Sequence, residues 1–223
     1  MIISIHQPAY LPWLGYFDKI NKSDLFVFLD TVQFQKNSFQ NRNMILSSKG
    51  PIWLTVPIQN KEDKIIKNIK IFNNNKWKKK HIDTIKFNYS KSLNFEKIYE
   101  ELLFFYNKDW YYLNELCFEM LIYFCKKLNI NTKIIRLSEV DHVDGHKGDL
   151  ILNICKKYKA KKYFSGINGI NYLNTKDFKK NNIQVIFQNF DHPTYKQINN
   201  DQFTKNLSIV DYLMNNKKEI FYK

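Results

Sequence analysis

Ile2-Ile3-Ser4-Ile5-His6-Gln7-Pro8-Ala9-Tyr10-Leu11-Pro12-Trp13-Leu14-Gly15-Tyr16, followed closely by Leu25-Phe26-Val27-Phe28-Leu29-Asp30, is the stretch that decides the fold. A short apolar run gives way to a loop with two prolines. An amphipathic segment then continues to Ile20, and a second, wholly apolar run ends on a carboxylate. The periodicities read strand, loop, short helix, strand. Strands joined through a helix pair in parallel, and open parallel sheets bind ligands beyond the carboxyl ends of their strands. His6, Gln7 and Asp30 fall at those ends. Pro8 and Pro12 fix φ and stiffen the loop, while Gly15 leaves room for a ligand to approach the backbone. A surface turn in which His6 closes the strand fits the same residues.

Downstream, the segment from Thr31 to Asn43 alternates polar and aromatic residues without helical spacing. Ile52–Ile58 reads as a strand and Ile66–Phe72 as another, together a small antiparallel appendage. From Trp77 to Tyr89 and from Phe95 to Asn129 the spacing becomes helical. Leu113, Leu116, Cys117, Met120, Phe124 and Leu128 form a wide core-facing stripe. Strand-like runs at 132–137, 162–165 and 183–187 then alternate with helical ones at 149–158 and 175–180, and a helix over 207–214 closes the chain. The expected architecture is α/β: a mainly parallel, Rossmann-like open sheet with helices on both faces. One domain over residues 1–223 is expected, with 75–130 as a mainly helical insertion, because 223 residues suit one sizeable core.

The net charge of +14 raises the question of polyanionic partners, yet only Arg42 and Arg136 among the 35 basic residues are arginine. A dedicated nucleic-acid reader uses the bidentate guanidinium more heavily, so the lysine excess reads chiefly as solvated surface. A basic surface still suits phosphorylated small molecules or tRNA. Cys117, Cys125 and Cys155 lack CxxC spacing and sit in apolar helical surroundings, as reduced core thiols do. No apolar run reaches the roughly 20 residues of a membrane span, and the start of the chain lacks the pattern of a secretory signal, so a cytoplasmic protein is expected.

Several clusters carry polar chemistry. Ser165-Gly166-Ile167-Asn168-Gly169 follows a strand, where backbone amides can surround an anion; an ordinary glycine turn has the same composition. His192-Pro193-Thr194-Tyr195-Lys196-Gln197 follows the last sheet strand and joins the His6 edge if the strands are parallel. Arg42, between Asn41 and Asn43, offers a planar fork for carboxylate or phosphate. Asp141-His142-Val143-Asp144-Gly145-His146 holds metal-ligand residue types without ligand spacing, and no metal is expected there.

Taken together, His6-Gln7-Pro8-x-Tyr10-Leu11-Pro12-Trp13-x-Gly15-Tyr16-Phe17, Asp30-x-Val32-Gln33-Phe34-x-Lys36, Asn41-Arg42-Asn43, Trp53-Leu54-Thr55-Val56-Pro57, Ser165-Gly166 and His192-Pro193-x-Tyr195-x-Gln197 resemble the WbqC-like family across nearly the whole chain. The resemblance implies a setting in bacterial O-antigen and related lipopolysaccharide or surface-glycan biosynthesis, with glycine transfer suggested for some members. The first unit is also similar in outline to adenylate-forming ligases of the nucleotidylyltransferase superfamily, although His6 stands here without an HxGH pattern.

These readings combine into an expected transferase that joins an amino acid such as glycine to an amino sugar through an amide. The donor would be an ATP-activated amino acid or an aminoacyl-tRNA, and the acceptor a nucleotide-linked or lipid-linked amino sugar. His6 or His192 would serve as base, Asp30 would orient the imidazole, and Lys36 with Arg42 would hold anionic groups. Ser165 and Gly166 would line the pocket, and Gln7, Tyr10, Trp13, Asn41 and Tyr195 would contact substrate. The alternative is a non-catalytic module that binds a sugar nucleotide or nucleic acid through aromatic and lysine surfaces.

Overall fold

Helix-joined strands with buried, β-branched and aromatic residues assemble here into one five-stranded parallel sheet. The computed structural model describes residues 1–59, 64–72, 76–140, 142–198, 202–216 and 220–221. The sheet contains β1 (Ile2–His6), β2 (Leu25–Phe28), β7 (Lys133–Arg136), β8 (Lys162–Ser165) and β9 (Gln184–Phe187), in the order β7-β2-β1-β8-β9. Every pairing in it is parallel. The chain therefore builds outward in one direction from β1 and in the other from β8, and the winding reverses between these two strands.

Side chains alternate across a strand, and that alternation sorts the core into two layers. Ile3, Ile5, Leu25, Val27 and Leu29 pack with residues of α5 (Lys147–Lys157) and α6 (Thr175–Lys180). Phe26 and Phe28 point the other way, into a cluster with α1 (Leu14–Asn21), α2 (Lys76–Tyr89), α3 (Phe95–Asn107), α4 (Leu113–Lys127) and α7 (Ile209–Asn215). The helical stretch from α2 to α4 thus supplies much of one core layer. Ser4 and His6 share the α1 side of β1. Ser4 is small enough for the helix to close onto the strand, and its hydroxyl donates to the Lys19 carbonyl at 3.4 Å.

Two antiparallel pairs form the appendage: β3 (Arg42–Ser47) with β4 (Gly50–Thr55), and β5 (Ile58–Gln59) with β6 (Lys70–Ile71). The long helical stripe over 95–129 is interrupted. Between α3 and α4 the backbone turns outward to pair with the appendage: the Ile71 amide donates to the Tyr111 carbonyl and the Leu113 amide to Ile69, each at 2.9 Å. The expected strand over 66–72 begins as a 3-10 turn at Ile66–Asn68 and pairs as a strand only at Lys70–Ile71, and the expected strand over 52–58 breaks before β5, where Pro57 cannot donate. No helix among the described residues is long and apolar enough to cross a membrane.

Candidate functional site

β1 and β8 pair only through Ile2 and Ile3, whereas β1–β2 pairing reaches His6 and β8–β9 pairing reaches Ser165. The two central strands therefore part at their carboxyl ends, at the point where the winding reverses. Continuing their register would bring the Gly166 amide to the Ile5 carbonyl. The ammonium of Lys19 takes that place, donating to Ile5 O at 2.7 Å. Lys19 Nζ also lies 4.0 Å from where a Cβ on Gly166 would stand, an ordinary contact distance.

Lys19 is 3% exposed, and no carboxylate among the described residues pairs with it. Burial draws its pKa down to about 7, because a low-dielectric surrounding disfavours the charged form. The unfolded chain keeps a proton on this amine up to its ordinary value of about 10.5, so between pH 7 and 9 the unfolded state binds more protons than the folded one. Stability from this group is fully present at high pH and is lost as pH falls toward 7. The unfolding free energy is expected to rise by on the order of 2 kcal/mol from pH 7 to 9. Urea titrations at both pH values measure it, and the rise should vanish in Lys19→Met.

His6 sits on the same side of β1. Its ring packs edge-on against Tyr16 at 4.6 Å and Trp13 at 5.8 Å between centroids. Burial, with the neighbouring Lys19 charge, pushes its pKa down to about 3, so the imidazole is neutral at neutral pH. His6 Nδ1 lies 2.9 Å from the Gln7 carbonyl; donation to that oxygen sets the tautomer and leaves Nε2 as an acceptor. An imidazole so depressed is a weak base, whereas an amine titrating near 7 is well matched to proton transfer at neutral pH.

Asp30 does not hold the His6 ring. It is fully buried at the end of β2, where Oδ1 accepts the Ser138 amide at 3.0 Å and Oδ2 accepts the Ser138 hydroxyl at 2.6 Å and Asn114 Nδ2 at 3.1 Å. These bonds fasten β2 to the turn after β7 and to α4. Tyr10 is likewise turned inward, its hydroxyl between His81 Nδ1 and the Tyr106 hydroxyl. The close neighbours of Gly15 belong to the protein itself: a Cβ there would stand 2.9 Å from Trp13 Nε1 and 3.1 Å from Phe190 Cδ1.

Strand alternation separates the Asn-Arg-Asn motif. Asn41 and Asn43 are buried and bond the Val56 carbonyl at 2.9 Å and the Leu11 carbonyl at 2.6 Å. The second bond holds Leu11 at φ 44°, a left-handed conformation unusual for leucine, and so fixes the loop between the prolines. Arg42 points outward, its guanidinium 4.2 Å over the Trp53 ring. Register explains the contact: Arg42 is opposite Thr55, making Trp53 its diagonal neighbour on the same face. Trp53 then meets Phe39 at 5.8 Å, and Phe39 meets Trp13 at 5.4 Å. A row of rings runs from His6 to Arg42. Gln7 supports it, accepting Gln40 Nε2 at 2.6 Å, while Lys36 is exposed in the preceding turn.

At the end of β8 Gly166 is half-buried, but Ser165 is fully buried and donates to the Gly166 carbonyl at 3.0 Å. Gly169 is required here, since a Cβ would come within 2.1 Å of Ser165 Oγ. Gln188, just past β9, spans the two halves by donating to Gly15 O and Asp18 Oδ2, both at 2.8 Å. His192 is half-buried between Phe190 and Tyr195, with Nδ1 2.9 Å from the Pro193 carbonyl, and burial lowers its pKa.

The Tyr195 hydroxyl is committed to Asp211 Oδ2 at 2.7 Å, alongside Gln197 Nε2 at 2.8 Å. Tyr89 donates to Asp211 Oδ1 at 2.8 Å and accepts the Leu46 amide at 2.9 Å. Asp211 therefore ties the segment after β9 to α7, α2 and β3, and burial raises its pKa against the pull of these donors.

The three cysteines are buried, which pushes Cys125 and Cys155 up to about 12 and Cys117 higher. Asp141 lies outside the described residues; His142 Nε2 meets Asp144 Oδ1 at 3.0 Å on the exposed loop beyond it.

Lys19, Gln188, Asp211 and Trp53 were missed by sequence reasoning as contributors to this region. Lys19 had one legible signal: it is a lysine inside a short helix whose neighbours Tyr16, Phe17 and Ile20 all belong to the core.

The parted strands and the reversal of winding define an α/β protein with a switch point in its parallel sheet, the position beyond which open parallel sheets take ligands. The chain belongs to the WbqC-like protein family, which matches residues 7–222. A relative from Mycobacterium tuberculosis (strain ATCC 25618 / H37Rv), the uncharacterized protein Rv1507c, is 32% identical over 218 residues, covering 96% of this chain and 93% of the relative. No solved structure matches the chain.

Proposed function

We propose that this protein is an enzyme of surface-glycan biosynthesis that forms an amide between an activated amino acid, such as glycine, and an amino sugar. The observation that carries the reading is the Lys19 amine held without a counter-charge where β1 and β8 part, beside the neutral His6. Amide formation requires the sugar ammonium to lose a proton, after which its nitrogen attacks the acyl carbon. A C–N bond forms, the bond from that carbon to the leaving oxygen breaks, and the leaving group departs as adenylate or the tRNA terminal hydroxyl. Lys19, neutral for part of the time at pH 7, suits the proton's acceptor, and His6 Nε2 suits a hydrogen-bond acceptor that aims the attacking amine. Arg42 and Lys36 face outward, where they would meet anionic groups of donor or acceptor.

Purified protein incubated with glycine and ATP, or glycyl-tRNA, and with nucleotide- or lipid-linked amino sugars should yield a product heavier by one glycyl group in mass spectrometry. His6→Ala and Arg42→Ala should each abolish most of that product while leaving the melting temperature within a few degrees, since neither side chain is fully buried. Absence of product with every pairing would defeat the transferase reading. Salt-sensitive polyanion binding that survives His6→Ala would then favour a non-catalytic module.

A further inference from the structure

We propose that the row of rings leading outward from His6 is a seat for a nucleoside diphosphate, with the base stacked on Phe39 and Trp53 and the pyrophosphate beside Arg42. This rests on the transfer reading above and selects a nucleotide-linked amino sugar over a lipid-linked one as acceptor.

Phe39 and Trp53 are 40% and 44% exposed and in ring contact with each other, in a chain whose largest buried side chains are mostly aromatic. Two adjacent exposed rings do not serve the core. Arg42 covers one face of Trp53 and stiffens the indole, as a stacking platform requires.

The charge at Arg42 decides what the rings would hold. The other arginine, Arg136, is paired with Glu139 at 3.1 Å, but no carboxylate among the described residues pairs with Arg42. Its guanidinium donates to the Asn37 carbonyl, and its buried Nε has no partner. An uncompensated guanidinium beside exposed rings favours an anion attached to a planar group. It repels the ammonium of an amino sugar, so the sugar itself would not occupy this end of the row. Trp13 continues the row inward from Phe39 to His6. Every base has a π face, so the platform defines the ligand class and leaves the base unselected.

Isothermal titration of the full chain with UDP, dTDP, GDP and ADP, and with uridine and inorganic pyrophosphate, tests the seat. At least one nucleoside diphosphate should bind saturably and more tightly than pyrophosphate. Trp53→Leu should weaken it by about tenfold or more. Arg42→Gln should weaken the diphosphate far more than the nucleoside. Phe39→Leu provides an independent reading if Trp53→Leu fails to fold. The seat is overturned if none of the four diphosphates binds, if pyrophosphate binds equally well, or if affinity is unchanged in folded Trp53→Leu and Phe39→Leu proteins. Glycine transfer to a lipid-linked amino sugar without diphosphate binding would sink the seat and leave the transferase standing. Diphosphate binding without any acyl transfer would do the reverse.

Discussion

Exchanging Lys19 for methionine is expected to reduce kcat/KM for amide formation by about 10²–10⁴-fold, the usual contribution of a positioned acid or base. The wild-type rate should increase through pH 7 as Lys19 loses its proton, in keeping with a pKa drawn to about 7 by burial. The methionine variant should lack that rise. Its thioether fills the volume of the lysine stem and removes a buried amine that has no counter-charge, so the protein should fold. Lys19→Arg should not restore the rate, because guanidinium remains protonated throughout this range. Steady-state kinetics from pH 6 to 9, with thermal melts of each variant, provide the measurement. Turnover within about tenfold of wild type in Lys19→Met would remove the amine from the chemistry and leave it a strand-capping role at Ile5.

Replacing Asp211 by alanine should lower the unfolding free energy by about 4 kcal/mol. It leaves the donors of Tyr89, Tyr195 and Gln197 without their shared acceptor, and each stranded buried donor costs about 1–3 kcal/mol, not additively. Part of the loss is returned because a buried carboxylate is removed. For a chain of this size the melting temperature should fall by on the order of 10 °C. Tyr195→Phe removes one donor along with its demand for an acceptor and should cost about 1 kcal/mol. A cost below about 1 kcal/mol for Asp211→Ala would mean that the three donors find other partners. The segment carrying His192 would then be held by packing on Phe190 and Phe203 instead.

These two residues illustrate how unequally the sequence disclosed its roles. Asp30 and Asp211 are both buried carboxylates that collect donors from distant elements, yet the sequence displays only their local settings. The turn that receives Asp30 lies 108 residues away at Ser138, and Tyr89 lies 122 residues from Asp211. Tyr10 and Asn41 present the same difficulty. A polar residue near a strand end looks available to a ligand until the chain folds back and supplies its partner. Arg42 stood out in the sequence as an anion-binding candidate because a planar guanidinium is rare in this lysine-rich chain. Its position over Trp53 was not, because that depends on hairpin register.

The sequence by itself determined the five strands of the parallel sheet, the two-prolined loop after β1, the position of His6, Gln7 and Asp30 at strand ends, and the family pattern, all of which rest on local periodicity and motif spacing. Only the tertiary structure decided the order β7-β2-β1-β8-β9, the parting of β1 from β8 and the entry of Lys19 into that gap. The physical reason is range. Backbone preference and hydrophobic period act over a few residues, whereas desolvation and hydrogen-bond completion depend on which remote segments arrive to exclude water or to supply a donor.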